Sequence, residues 1–139
     1  MNTEVFHHIN WLAVLVGGLA YFLLGVIWYT ALFGKKWRSY NNSLMNTPGA
    51  KKGATGIMIV SFILMFISTL GLSLIVTRLS LSGWQVGLKL GILTGVFFGA
   101  TAISISYVYE KRPFGLYFIN GLYTIVGNII AAIIVSCWK

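Results

Sequence analysis

The sequence predicts an all-α integral membrane protein, a four-helix bundle in a single domain. Three observations carry this. Hydrophobic residues make up 58% of the 139 and charged residues only 9%, where a soluble domain has about 45–50% and roughly 25%. Four stretches stay apolar over the ~20 residues that a helix needs to cross a hydrocarbon core. The ten Lys and Arg residues fall mostly between those stretches, as in loops that flank membrane spans. The segments of about ten alternating residues that mark a membrane β-barrel do not occur. Binding of nucleic acid is excluded despite the net charge of +8, because it requires cations clustered on a soluble face.

The first span is expected over about residues 9–32. No Lys or Arg precedes it, so it lacks the basic leader of a signal peptide and reads as a retained helix with its N-terminus outside. Over residues 33–44, Phe33, Trp37, Tyr40 and Leu44 recur at helical spacing, with Lys35, Lys36 and Arg38 on the other faces. That pattern predicts a short interfacial helix, followed by a turn at Pro48-Gly49. The second span covers about residues 56–76 and the third about 86–109, where Lys89 in the first turn can snorkel to the headgroups. Pro113 suits the start of the fourth span, about 114–138, where a missing N–H does no harm.

Orientation follows from counting cations. Lys35, Lys36, Arg38, Lys51, Lys52, Lys111 and Arg112 lie in the first and third loops, seven in all. Arg78, Lys89 and Lys139 make three on the other side. Cation-rich loops stay in the cytoplasm, so loops one and three are expected inside and both termini outside. Aromatic belts agree: Trp11, Trp84 and Trp138 mark the outer interface, and Trp28, Tyr29, Trp37, Tyr107, Tyr109 and Tyr117 the inner one.

Candidate functional residues form three sets. Gly87, Gly91, Gly95 and Gly99 step by four along the third span. They share one helix face and make the kind of groove that lets helices pack closely in lipid. The expected partner is another span of the same chain, for which the first span offers a looser small face at Ala13, Gly17, Gly18 and Gly25, or a second subunit in a homo-oligomer. In the fourth span Asn120, Thr124 and Asn128 also step by four. With Asn10 and Tyr123 they are candidates for a polar pocket, either bonded between helices or lining a solute route. At the inner face, Lys35, Lys36, Trp37 and Arg112 either serve only to set topology or contact acidic phospholipid, with Glu110 orienting Arg112.

Reactive chemistry is sparse. Glu4 and Glu110 are the only acids and belong to segments at opposite membrane faces, so paired-carboxylate catalysis is not expected. His7 and His8 are too few to hold a metal, Cys137 is the only cysteine, and no cofactor is expected. Asn41-Asn42-Ser43 matches a glycosylation signal but lies in the loop assigned to the cytoplasm.

Asn10-Trp11, the run Leu24-Gly25-Val26-Ile27-Trp28-Tyr29, then Phe33-Gly34-Lys35 and Trp37 carry a resemblance, and Tyr109-Glu110, Arg112-Pro113, Asn120 and Tyr123 extend it. Over essentially its whole length the chain resembles the small bacterial four-span proteins catalogued as domain of unknown function family 1761. One departure is Thr124, where relatives often have histidine, so a role for that histidine would not carry over. The resemblance implies a multi-pass protein of the bacterial cytoplasmic (inner) membrane and no particular activity. Three function classes follow, in order. The first is a non-enzymatic membrane protein that self-associates and binds lipid or a partner. The second is an oligomeric small-solute channel or transporter with its polar face at Asn120 and Asn128. The third, a membrane enzyme of the glutathione-using four-span type, would need a denser set of Arg, Glu and Asn than Glu110 and Arg112 supply.

Overall fold

A computed structural model describes residues 3–41 and 53–138. Four helices in it are long and apolar enough to cross a membrane: α1 (Trp11–Leu32), α3 (Ala54–Arg78), α4 (Trp84–Glu110) and α5 (Phe114–Cys137). The short α2 (Gly34–Tyr40) follows α1, and a 3₁₀ turn, Thr3–His8, precedes it. The described residues contain no strand. The expected turn at Pro48-Gly49, together with Leu44, Lys51 and Lys52, lies outside the described residues.

Local chemistry sets the helix ends. α1 starts at Trp11 because the Asn10 side chain caps it, accepting a hydrogen bond from the Ala13 N–H at 3.1 Å. The same side chain donates to the Trp138 carbonyl at 3.2 Å, which ties the start of α1 to the end of α5. At the other end of α1, residues Trp28–Leu32 widen into a π-helical turn. α2 closes on Asn41, whose backbone N–H still donates to Trp37 O at 3.1 Å while its φ of −115° leaves the helical range; residues 42–44 of the expected interfacial helix lie outside the described residues. α4 stops where Lys111 takes the left-handed conformation, φ 53°. The Arg112 N–H then returns to Tyr107 O at 3.0 Å, and Pro113 leads into α5.

α5 is the hub of the bundle. α1, α3 and α4 each pack on it, and α1 and α3 also pack on each other. Leu116, Ala131, Ala132 and Val135 of α5 are buried with Ala13 and Val14 of α1 and Leu72 and Val76 of α3. The outer faces are apolar and exposed, for example Leu15, Leu19 and Leu23 on α1 and Ile57, Val60 and Leu64 on α3. That arrangement suits lipid as the solvent.

The glycine stripe of α4 faces α5. A Cβ at Gly91 would fall 2.3 Å from Ile129 Cα, and one at Gly95 2.7 Å from Ile125 Cα. At Gly87 it would sit 2.3 Å from Ser136 Oγ and 2.7 Å from Ile133 Cα, and at Gly99 2.3 Å from a Thr124 methyl. The stripe therefore packs on another span of the same chain, but that span is α5 and not the first, whose small face was offered for it. Gly17 faces Thr69 and Ala131, Gly18 faces Phe66, and Gly25 faces Tyr123. The small face of α1 is used against α3 and α5 and does not reach α4.

Candidate functional site

Loops one and three meet at one end of the bundle. The Arg112 guanidinium donates through Nη2 to Asn41 Oδ1, while Asn41 Nδ2 donates to Trp37 O at 2.8 Å. Asn41 is only 2% exposed, and Arg112 Nε is enclosed without a hydrogen-bond partner among the described residues. The expected pair of Arg112 with Glu110 is not formed. Glu110 is exposed, and the left-handed turn at Lys111 sends Arg112 back towards the bundle. The partner is Asn41, a residue the sequence offered only as part of a glycosylation signal.

Around this clasp lies a charged and aromatic rim. Lys35, Lys36 and Arg38 are exposed on α2, and Lys111 is exposed after α4. Trp37 is half-buried and meets Tyr29 edge-on at 5.9 Å. Between α2 and α5 runs a slot of about 270 Å³ lined by Phe33, Lys36, Tyr40, Gly115, Phe118 and Leu122, among others. Gly115 keeps it narrow-walled, since a Cβ there would meet the Tyr40 ring.

Deeper, two aromatics that the sequence assigned to the inner belt turn inward. Trp28 is 8% exposed and donates its indole N–H to Ile119 O at 2.9 Å. Tyr29 donates its hydroxyl to Asn120 Oδ1, and Asn120 Nδ2 donates to the Tyr107 hydroxyl. Asn120 thus joins α1 to α4 across α5. The chain of polar groups continues along α5: Thr124 donates to Asn120 O at 3.0 Å, and Asn128 Nδ2 to Thr124 O at 2.8 Å. The Thr94 hydroxyl of α4, which donates to Leu90 O at 2.9 Å, also lies 3.3 Å from Asn128 Oδ1.

The five residues expected to form one polar pocket therefore divide. Thr124 and Asn128 line a cleft of about 500 Å³ between α3 and α4. Asn120 lies between its two tyrosines. Tyr123 points to the α1–α3 side, donating to Tyr21 O at 3.2 Å and approaching Met65 Sδ at 3.5 Å. Asn10 sits at the opposite end, beside Ser136 and Gly83, whose reciprocal bonds of 3.1 and 3.2 Å hold the second connection to α5. A step of four places residues on one helix face, but α5 is surrounded, so neighbouring positions on it meet different helices.

The sequence reading missed Asn41, Tyr21, Ser68 and Thr94. Tyr21 could have been found as an aromatic at mid-span rather than in a belt, and Thr94 as a hydroxyl three residues from Gly91 on the packed face. Ser68 gave no signal. Among the described residues no group of three or more His, Cys, Asp or Glu could hold a metal.

The family model described as "Protein of unknown function (DUF1761)" matches residues 12–136. No curated protein and no solved structure matches the chain.

Proposed function

The chain belongs to the DUF1761 family of proteins of unknown function, and from that premise we propose that it is a non-enzymatic lipid-binding protein of the bacterial cytoplasmic membrane. Its basic end faces the cytoplasm and holds an acidic phospholipid. The observation that carries this reading is the slot between α2 and α5, with apolar walls and the exposed Lys36 in its lining. An acyl chain fits the walls formed by Phe33, Phe118 and Leu122. The headgroup phosphate then falls among Lys36, Lys35 and Arg38.

Each basic residue near an acidic headgroup contributes about 1 kcal/mol. Arg112 has a different part in this reading. Held by Asn41, it fixes α2 against the bundle and so shapes the slot. Glu110 stands exposed with no second acid beside it among the described residues, which speaks against acid–base catalysis at this end. Self-association stays within the proposal through the apolar outer faces of α1 and α3, because α5 already occupies the glycine stripe of α4.

Native mass spectrometry tests the reading. Lys35→Ala/Lys36→Ala should bind phosphatidylglycerol about thirtyfold more weakly than wild type, from two charges at about 1 kcal/mol each. Phosphatidylcholine retention should not change. Equal phosphatidylglycerol retention by the variant and wild type would rule the headgroup site out.

A further inference from the structure

The cleft between α3 and α4 shares no lining residue with the basic slot, and its chemistry is different. Both helices pack on α5, but they diverge, which leaves about 500 Å³ between them with α5 as the floor. Asn128 on that floor is fourteen residues from Phe114 and nine from Cys137, so at 1.5 Å per residue it lies about 21 Å and about 14 Å from the two helix ends. That is hydrocarbon depth. Leu72, Ile75 and Phe98 form apolar walls, and every described residue lining the cleft is uncharged.

Polar groups at that depth must normally be satisfied within the protein. Helical Ser and Thr usually do so by returning to the carbonyl four residues back. Thr69, Thr94 and Thr124 each do this, to Met65, Leu90 and Asn120. Ser68 does not: it lines the cleft, is exposed there, and hydrogen-bonds to nothing among the described residues. Opposite it, Asn128 donates Nδ2 to Thr124 O and its side chain also hydrogen-bonds the Tyr21 hydroxyl, so both of its N–H groups are engaged within the protein. The Tyr21 hydroxyl lies beside Asn128 on the same floor. The floor is thus satisfied, and the open donor inside this apolar space that opens sideways is Ser68 of α3.

We infer that this cleft binds a neutral, lipid-soluble molecule bearing an oxygen acceptor, drawn laterally from the bilayer. Its oxygen accepts from Ser68, and its apolar body lies along Leu72, Ile75 and Phe98. An ionised ligand is disfavoured, because no countercharge lines the cleft and an unpaired charge at this depth is costly.

Photolabelling of the full chain in nanodiscs tests this with three probes of equal length carrying the same diazirine: hexadecanol, hexadecanoic acid at neutral pH, and hexadecane. Hexadecanol should label the α3 and α4 walls at least about fivefold more than either of the others, the ordinary worth of a hydrogen bond. Ser68→Ala should remove most of that preference and leave hexadecane labelling unchanged. Gly71→Leu should abolish labelling of the walls by filling the cleft. A Cβ at Gly71 meets nothing within 4 Å, so this variant should melt no lower than wild type. Equal labelling by hexadecanol and hexadecane, or a hexadecanol preference that survives Ser68→Ala, would overturn the inference. So would wall labelling that survives Gly71→Leu.

Discussion

Gly91→Ala adds a single methyl group, and the structure says where it must go. The new Cβ would lie 2.3 Å from Ile129 Cα, 2.7 Å from Ile129 N and 2.9 Å from Asn128 O. Comfortable carbon contacts need about 3.5–4.0 Å, so α4 and α5 must separate locally by about 1.2–1.7 Å. All three obstructing atoms are helix backbone, and no rotamer change can relieve them. Overpacking of this kind costs about 1–3 kcal/mol, and the gap it opens further along the interface adds lost dispersion contacts. Against this, alanine gains up to about 1 kcal/mol over glycine in helix propensity. The expected net is a loss of about 1–2 kcal/mol. Gly71→Ala is the matched control: its Cβ meets nothing within 4 Å, so only the propensity term operates and the variant should be stabilised. The pair can be compared by unfolding in mixed micelles of dodecyl maltoside and dodecyl sulfate, followed by far-UV circular dichroism. Midpoints moving in opposite directions support the α4–α5 contact. A Gly91→Ala midpoint at or above that of Gly71→Ala would refute it, since the stripe could not then lie at the closest helix approach.

Two further outcomes follow. Ser39 on α2 and Cys137 at the end of α5 are both exposed and lie at opposite ends of the bundle. An impermeant maleimide added to intact cells should therefore label wild-type Cys137 and leave Ser39→Cys/Cys137→Ser unlabelled, whereas the reverse pattern would invert the proposed orientation. Tyr29→Phe and Tyr107→Phe each remove one arm of the Asn120 bridge and should each cost about 0.6 kcal/mol, at most ~1.7. In the same micelle assay their double variant should cost less than the sum, because both arms serve one amide, and strict additivity would argue against a shared bridge.

The spanning helices are legible in the sequence because length and apolarity are properties of one segment at a time. The lipid solvent acts on each segment alone. Packing partners belong to two segments. The spacing of Gly87 to Gly99 announces a groove but does not say what fills it, and the small face of α1 was the obvious complement. The better one was already present: Ile125, Ile129 and Ile133 of α5 repeat the same step of four, and the backbone at those residues lies closest to the stripe. The π-turns obscure other faces. Each inserts about one residue into a helix of 3.6 per turn, rotating everything beyond it by about 100°. Trp28, where the first such turn begins, needs no shift: it continues the buried step Gly18, Tyr21, Gly25 of α1, and so points inward from what reads as a membrane belt. A second π segment, Gly95–Ala100, carries Phe98 and Gly99 into the cleft wall. The cleft itself arises from two helices that share a neighbour without packing on each other. No periodicity within either helix records that divergence. Nor does the sequence mark Ser68, whose hydroxyl becomes an open donor at hydrocarbon depth only because the two helices part there. In a membrane protein this small, the polar atoms that packing leaves open are therefore the best guide to where a ligand belongs.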